Sequence, residues 1–367
     1  MKPLKQIVCL LIVAIGLGVP AVGRASGPYD FELQQLGEGI YVAIRPESIR
    51  APVEGNATIL INNRDVVMFE GGGVPLAAEN VIAKIRELTD KPVRYVINSH
   101  WHGDHHLGNQ AYREAFPNVE IISHAYTRED ITGPPMDYVE EMVKSLPQEL
   151  EGVQKLLEAG TSQDGTPLDE KTRRWYEQIA EGLPVLMEEV ARLDATPPTL
   201  TFDDKLTLHR GDRVIEILYL GRGNTRGDAV VYLPKEKIVI TGDLVVLPTP
   251  YGFGTYPSDW IATLNKIQAL EFDQMVPGHG PVQSDGAYLE TLKALFQSML
   301  SQAEEIVAAG GDLEKLRTEV DVAEFETKLC GDDPLLQRLF KNWFVNPFAL
   351  SVFKEASGEP IIQGQEG

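Results

Sequence analysis

The stretch that decides the fold is Asn98–Asn109, Asn-Ser-His-Trp-His-Gly-Asp-His-His-Leu-Gly-Asn. It holds four of the seven histidines in the chain within seven consecutive residues. His100 and His102 are two residues apart and can bind one metal ion together, whereas Asp104 and His105 follow a glycine, where the chain can turn toward a second position. Imidazole and carboxylate together favour zinc, with iron and manganese also possible. The spacing predicts a metal site; the alternative is a polar loop with surface histidines.

A short apolar segment, Pro92–Ile97, precedes this stretch and predicts a buried strand that delivers the loop to one edge of a sheet. Before it, Ala77–Leu88 carries apolar residues at helical spacing, and after it Val119–Ser123 predicts another strand. The alternation of strand, helix and strand indicates an α/β layered fold. The other predicted strands are Gly39–Ile44 (an edge strand), Ala57–Ile61, Asp65–Phe69, Thr199–Phe202, Leu206–His209, Val214–Leu220, Ala229–Leu233 and Lys237–Thr241.

The first 25 residues have the pattern of a secretory signal peptide. Met1–Lys5 is basic, Gln6–Val19 is almost wholly apolar, and small residues that suit cleavage follow at Ala21 and Ala25. The apolar segment is short for a membrane span, and an uncleaved N-terminal anchor is the alternative. We therefore expect a periplasmic or secreted protein without stable membrane insertion after cleavage. Only Cys330 would then remain, which excludes an internal disulfide.

The chain is strongly acidic, with a formal net charge of −21; loss of the three basic residues of the leader would leave −24. Such a protein repels polyanions, and no basic stripe is visible in the sequence, so nucleic acid is not an expected partner. We expect a small-molecule substrate instead. The sequence leaves the oligomeric state open.

Residues 133–198 interrupt the strand-rich chain with two charged segments of helical pattern, Met136–Leu157 and Asp169–Leu193. We interpret this block as a helical insertion, which either roofs the functional site or packs as a solvated hairpin on one flank. After the strands resume, Trp260–Leu270 predicts a helix that begins at Pro257, and the C-terminal part is helical. The expected organisation is a leader at 1–25, a main domain at 30–283 and a C-terminal helical extension at 284–367.

Taken together, these features resemble a metallo-β-lactamase-fold hydrolase over residues 39–281, apart from the insertion. The H-x-H-x-D-H signature of that family is matched in the histidine-rich stretch, and its later motifs follow in order at Gly223–Asp228, Asp243 and His279. The resemblance implies a four-layer αββα sandwich of two ββα halves with metals at one edge. It also implies the ligands: His100 and His102 in the first metal site, Asp104, His105 and His279 in the second, and Asp243 as the bridge between them.

One position departs from the family pattern. The family usually has histidine between Gly223 and Thr225, where this chain has Asn224. A carboxamide oxygen is a weaker donor to zinc than imidazole. Asn224 is therefore either a weak third ligand in a binuclear centre with a labile first metal, or the first site is empty and only the second holds a metal. The expected cofactor is Zn²⁺, as one or two ions, with other divalent metals possible.

The resemblance implies hydrolysis. Zinc lowers the pKa of its bound water to about 7, so that a metal-bound hydroxide can attack a carbonyl carbon at neutral pH. Asp104, besides its role as a ligand, would act in catalysis by holding this nucleophile in line. We expect an exported zinc-dependent hydrolase that cleaves an amide, lactone or ester bond, as β-lactamases do. The alternative is a non-catalytic exported metal-binding protein on the same scaffold.

Residues close to these motifs have other expected roles. His106 is expected to support the ligands or lie at the surface, and His124 to pack in the core. The aromatic and glycine-rich loop Tyr251–Tyr256 either lines the substrate pocket or serves ordinary packing, and Trp101 has the same two interpretations.

Overall fold

The structure is a computed structural model that describes residues 27–47, 49–163 and 165–364. The predicted signal peptide, residues 1–25, lies outside the described residues. Within the described ranges no helix is both long and apolar enough to span a membrane.

Seven strands form a mixed sheet in chain order: β1 (Glu32–Gly37), β2 (Ile40–Ile44), β3 (Ala57–Ile61), β4 (Val66–Phe69), β5 (Val93–Ile97), β6 (Glu120–His124) and β7 (Leu200–Phe202). The first four strands pair antiparallel, whereas β4 to β7 run parallel. The prediction of β2 as an edge strand is wrong, because β1 pairs with its outer side. β1 is mostly polar and partly exposed, so its sequence lacks the apolar alternation of a half-buried strand.

Five strands form a second sheet: β8 (Lys205–Arg210), β9 (Arg213–Tyr219), β10 (Ala229–Leu233), β11 (Ile238–Ile240) and β12 (Gln274–Val276), in the spatial order β12-β11-β10-β9-β8. Only β11 and β12 pair parallel. The sequence analysis did not predict β12, because three residues before a proline and glycine loop give too short a periodic pattern.

The helices are α1 (Pro75–Leu88), α2 (Asn109–Ala115), α3 (Ala125–Ile131), α4 (Asp137–Ala159), α5 (Glu170–Val190), α6 (Pro257–Gln268), α7 (Ala287–Ala308), α8 (Leu313–Glu319), α9 (Ala323–Cys330), α10 (Pro334–Leu339) and α11 (Asn346–Ser357). Their boundaries follow local chemistry. α1 and α6 begin with a proline, which suits the first helical position. α5 begins after Asp169, whose side chain accepts the Thr172 N–H, and α4 ends at Gly160 in the left-handed conformation.

The two sheets pack face to face around an aliphatic core. Val67 and Ile97 of the first sheet share this core with Ile217 and Val231 of the second, and all four are fully buried. Successive strand residues point to opposite faces, so Met68 belongs instead to the layer covered by α1 and α2. Helices α6, α7 and α11 cover the second sheet. The predicted four-layer αββα sandwich with a helical extension is therefore confirmed.

Helices α4 and α5 pack on each other through their own apolar cluster and are also fastened to the domain. The backbone N–H of Gly103, in the histidine-rich loop, donates to Tyr138 Oη of α4 at 3.0 Å. At the other end, the Leu76 N–H of α1 donates to Glu189 Oε2 of α5 at 2.7 Å. These bonds place the pair beside the histidine-rich loop rather than free on a flank.

Candidate metal centre

Parallel strand pairs bring the predicted ligands together. The loop after β5 carries the histidine-rich stretch, and the loops after β11 and β12 carry Asp243 and His279. Polar groups of α/β sheets commonly collect beyond the carboxyl ends of parallel strands. Asn98 and Asn109 close the histidine-rich loop through two mutual side-chain hydrogen bonds of 2.9 and 3.1 Å. Asn98 Nδ2 also donates to the His105 carbonyl at 3.1 Å, which fixes that ligand's backbone.

Asp104, His105 and His279 form one group of potential metal ligands. His105 Nε2 lies 3.3 Å from Asp104 Oδ2, and His279 Nε2 lies 3.1 Å from the same oxygen. Asp243 Oδ1 lies 3.3 Å from His105 Nε2 and 3.4 Å from His279 Nε2. The structure thus brings together the four residues that the sequence analysis placed at the second site and the bridge.

His100, His105 and Asp243 form a second group. His100 Nε2 lies 3.8 Å from Asp243 Oδ2 and 3.0 Å from His102 Nδ1. The Ser99 hydroxyl lies 2.8 Å from His100 Nδ1 and fixes the orientation of the ring. The two oxygens of Asp243 therefore face different groups, which is the arrangement that a bridging carboxylate needs.

Asn224 is fully buried, and neither its amide oxygen nor its amide nitrogen has a hydrogen-bond partner in the described part of the chain. Its loop is rigid: the Thr225 N–H and hydroxyl both donate to Asp228, each at 2.8 Å. The Ala229 N–H donates to the Ser99 carbonyl at 2.8 Å, so the loop is anchored beside the start of the histidine-rich stretch. An unpaired buried amide is costly, and a metal ion would satisfy its oxygen.

Other buried polar atoms also lack partners. Within the described ranges the atoms without a hydrogen-bond partner include His105 Nε2, Asp243 Oδ1 and His279 Nε2. Asp243 Oδ1 lies 3.3 Å from His105 Nε2 and 3.4 Å from His279 Nε2. Buried polar groups are normally hydrogen bonded, so the convergence of imidazole nitrogens and carboxylate oxygens without partners fits a divalent metal. Nitrogen and oxygen donors of this kind suit zinc.

The carboxylates and imidazoles of the candidate ligands shift one another's pKa values. Burial lowers the pKa of His105, but nearby carboxylates, with Asp104 foremost, outweigh burial and hold it well above the usual range. Burial raises the pKa of Asp243, but His105 and His279 outweigh it and hold that pKa well below the usual range. The pKa of His279 rises to about 9 because Asp243 opposes the effect of burial. Metal binding must therefore displace protons from these imidazoles.

Glu70 supports His105 from behind. It is buried at the end of β4, with Oε1 3.3 Å from His105 Nδ1 and Oε2 accepting the Ser99 N–H at 3.2 Å. A carboxylate on the second nitrogen of a ligating histidine fixes its tautomer and raises its basicity. The backbone of Glu70 has φ 77°, which is uncommon for a residue other than glycine. Glu70 was not singled out from the sequence, where an acidic residue before three glycines was the available signal.

Glu70→Gln is expected to weaken zinc binding about tenfold, because glutamine keeps the shape but not the charge beside His105. The measurement is a competition titration of zinc against a chelator of known affinity, with Glu87→Gln on the exposed surface of α1 as the matched control. An unchanged zinc affinity in Glu70→Gln would contradict the supporting role.

Glycine allows the close approach of the His279 loop to Asp243. A Cβ atom on Gly278 would lie 1.9 Å from Asp243 Oδ1, and one on Gly55 would lie 2.7 Å from the His105 ring. Asn56 Nδ2 donates to two backbone carbonyls of the same loop at 3.0 and 2.8 Å. Gly278 and Gly55 are therefore needed by the packing of the candidate ligands.

The remaining residues of the sequence analysis have structural contacts. His106 is buried, and its Nε2 lies 2.9 Å from the Trp101 carbonyl. His124 is buried, stacks on Tyr219 and caps the start of α3. Trp101 Nε1 donates to Gln363 Oε1 at 2.6 Å, which ties the histidine-rich loop to the C-terminal tail. The sequence analysis gave no signal for this last contact.

A cavity of about 500 Å³ opens onto the candidate ligands. His102, Asp104 and Asp243 line it, as do Tyr251 of the aromatic loop and side chains of α4 and α5. Asp104 keeps about a quarter of its side chain exposed (23%) in this cavity, whereas the side chain of Asp243 is buried. The insertion therefore roofs the centre, and part of the aromatic loop lines the pocket.

Glu54 is a further polar group of the cavity that the sequence analysis did not single out. It is buried beside Asp104, with Oε1 accepting the Gly73 N–H at 2.9 Å. Burial, opposed by Arg45, raises the pKa of Glu54 to about 8. The carboxyl group is therefore mostly protonated at neutral pH.

The fold and the donor set define a two-sheet protein with histidine and aspartate clusters at the sheet edge that could bind a divalent metal. The chain belongs to the metallo-beta-lactamase superfamily, whose sequence model matches residues 50–310. Members of this superfamily bind divalent metals and are mostly hydrolases.

Two curated relatives show the range of the similarity. The linear primary-alkylsulfatase of Pseudomonas sp. (strain ATCC 19151) is 27% identical over 226 residues, which are 59% of this chain and 40% of that protein. The metallo-beta-lactamase type 2 of Bacteroides fragilis is 22% identical over 285 residues, 76% of this chain and 90% of that protein. The chain thus spans less than half of the alkylsulfatase that it matches.

Among solved structures, the stereoselective inverting sec-alkylsulfatase Pisa1 from Pseudomonas sp. aligns with a TM-score of 0.58 at 14% sequence identity. The alignment covers 89% of this chain and 50% of that one. At this identity the likeness concerns the fold alone.

Proposed function

We propose that this protein is an exported, zinc-dependent hydrolase that cleaves an ester, lactone or amide bond in a small-molecule substrate. The observation that carries the proposal is the placement of two ligand groups, which share His105 and both lie close to Asp243, at the wall of a largely apolar cavity. A binding protein without catalysis needs no such cavity at its metal. The superfamily and its alkylsulfatase and β-lactamase relatives support hydrolysis as the reaction class.

The residues of this chain have distinct parts in the reaction. His100, His102, Asp104, His105, Asn224, Asp243 and His279 would hold the metal. When bound, zinc supplies a Lewis acid and lowers the pKa of a water molecule to about 7. Asp104, which faces the cavity, accepts a hydrogen bond from the attacking water and orients it. The protonated Glu54 can pass a proton toward the leaving group.

Tyr251 can stabilise the negative charge that develops on the substrate oxygen. Its ring lies 5.3 Å from the His279 ring, and the residue lines the cavity. Burial, followed by the charges of Asp243 and Asp104, raises the pKa of Tyr251 well above its usual range. The phenol therefore stays protonated and can donate a hydrogen bond to an oxyanion.

Tyr251→Phe is expected to lower kcat about tenfold with unchanged zinc content, because a hydrogen bond to a charged oxygen, worth about 1.5 kcal/mol, is lost. Steady-state kinetics with an aryl ester measure the effect, and Tyr41→Phe on β2 is the matched control. A variant with wild-type kcat would exclude the role of the phenol.

Metal content and turnover together test the proposed function. The purified full chain is loaded with zinc, counted by atomic emission, and assayed on β-lactams, lactones, aryl esters and alkyl sulfates. We expect turnover of at least one class, loss of that turnover with a chelator and recovery with added zinc. A fully loaded protein that is inert toward all four classes would favour the non-catalytic alternative.

Export is tested in the native cell. The basic start and the apolar Gln6–Val19 segment support a cleaved leader, and N-terminal sequencing should begin near Val22 or Ser26. Recovery of the chain from the cytosol with Met1 in place would contradict export.

A further inference from the structure

The wall that α4 and α5 give to the cavity is apolar. Its side chains from the two helices are Met142, Leu146, Trp175, Ile179, Leu183 and Leu186. The same cavity reaches His102, Asp104 and Asp243, so one space joins the metal ligands to this helical wall. Its volume of about 500 Å³ lies within the range of about 300–1,000 Å³ that is usual for small-molecule sites. The space exceeds what a compact two-carbon acyl group would fill.

The ionisable side chains that line this space away from the candidate metal ligands do not include a basic one. Among the described residues of the lining, the acids are Glu54, Asp104, Glu149 and Asp243, and none is lysine or arginine. Arg45, behind Glu54, points its guanidinium to the Asp30 and Pro52 carbonyls and does not line the cavity. An anionic group on the part of the substrate that lies along the helical wall, away from the metal, would therefore be desolvated without a basic side chain to pair with.

We propose that the substrate is a carboxylic ester or lactone with an extended, uncharged apolar acyl chain, which lies against the wall of α4 and α5. This inference rests on the proposed hydrolase function and narrows it. In the reaction, an oxygen of water bonds to the carbonyl carbon and the bond from that carbon to the alkoxy oxygen breaks. One proton of the water goes to the leaving oxygen, so the products are a carboxylic acid and an alcohol.

A chain-length series tests the apolar part. With the zinc-loaded full chain, kcat/KM is measured for 4-nitrophenyl acetate, butyrate, hexanoate and octanoate below their micelle concentrations. Burial of each methylene contributes about 0.8 kcal/mol, so we expect kcat/KM to rise at least about a hundredfold from acetate to octanoate. Equal values for acetate and octanoate would overturn the inference and leave the proposed function standing. No hydrolysis of any ester would overturn both.

Substitutions on α4 locate the acyl chain. Met142→Trp fills the cavity and is expected to lower kcat/KM for octanoate at least about tenfold while that for acetate changes less than about twofold. The matched control is Val143→Trp, the next residue on the same helix, which is exposed and does not line the cavity. A parallel loss on all esters in Met142→Trp, or the same loss in Val143→Trp, would contradict the assigned location.

Binding without turnover also tests the apolar chain. The uncharged fluorophore N-phenyl-1-naphthylamine is bound to the zinc-loaded protein and displaced by octan-1-ol or by butan-1-ol. We expect octan-1-ol to displace it at a concentration at least about tenfold lower, because four more methylenes are buried against the helical wall. Equal displacement by the two alcohols would overturn the apolar acyl site.

Discussion

His105→Ala is expected to abolish tight zinc binding and hydrolysis together. His105 belongs to both ligand groups. Its Nε2 lies 3.3 Å from Asp104 Oδ2 and 3.3 Å from Asp243 Oδ1. Its removal takes a donor from each group and leaves the buried carboxylate of Glu70 without its partner. Substitution of a residue that hydrogen bonds to a ligand typically lowers metal affinity or activity about 10–100-fold. Loss of the ligand itself should cost more, and we expect kcat/KM to fall by at least about ten-thousandfold.

The matched control for this substitution is His209→Ala, since His209 is exposed at the end of β8. Zinc per chain is counted after dialysis, and circular dichroism of the metal-free proteins shows whether His105→Ala still folds. If His105→Ala retained wild-type zinc content and rate, the assignment of both groups would be wrong. Rates that fall with zinc content unchanged would restrict His105 to a catalytic role.

Asn224→His is expected to tighten the weaker zinc equivalent on the order of a hundredfold, because imidazole is a stronger donor to zinc than a carboxamide. The wild-type amide is fully buried, and within the described residues its oxygen has no hydrogen-bond partner, so the oxygen is free to bind a metal. Histidine would complete a set with His100 and His102. Activity need not rise, since a ligand held slightly off its productive position costs rate.

Calorimetric zinc titration of wild type and Asn224→His, with residual metal counted first, measures this effect. We expect one weak and one tight equivalent in the wild type and two tight equivalents in the variant. Asn224→Ala serves as the second variant and should lose the weak equivalent. Two tight equivalents in the wild type, unchanged by histidine, would show that asparagine already serves as a competent ligand.

The sequence predicted which candidate ligands cluster far better than it predicted the residues that support them. His100, His102, Asp104 and His105 lie in one local motif, so they could be recognised together. The helix and strand periodicities around them are strong, so the αββα sandwich could also be predicted. Glu70 and Glu54 become part of the site only because separate strands converge, and no local spacing marks them. The edge position of β1 was missed for a related reason: edge strands bury little and need little apolar alternation.

The helical insertion shows the same limit. Its two helices were predicted from periodicity, since apolar residues recur at helical spacing in both. Where the pair lies depends on single long-range contacts, such as the Gly103 N–H to Tyr138 bond and the Leu76 N–H to Glu189 bond. Such contacts have no signature in either segment alone. The position of the two helices over the cavity could therefore be seen only in the structure.

The hydrogen bond from Trp101 to Gln363 joins residues 262 positions apart in the chain. Contacts of such separation form late, because a long loop must close before they are made. During synthesis the histidine-rich loop would leave the ribosome well before the residue that secures it. The loop is therefore secured only after the chain has been made as far as Gln363. Until then the histidine-rich loop lacks this contact, whatever other order it has gained.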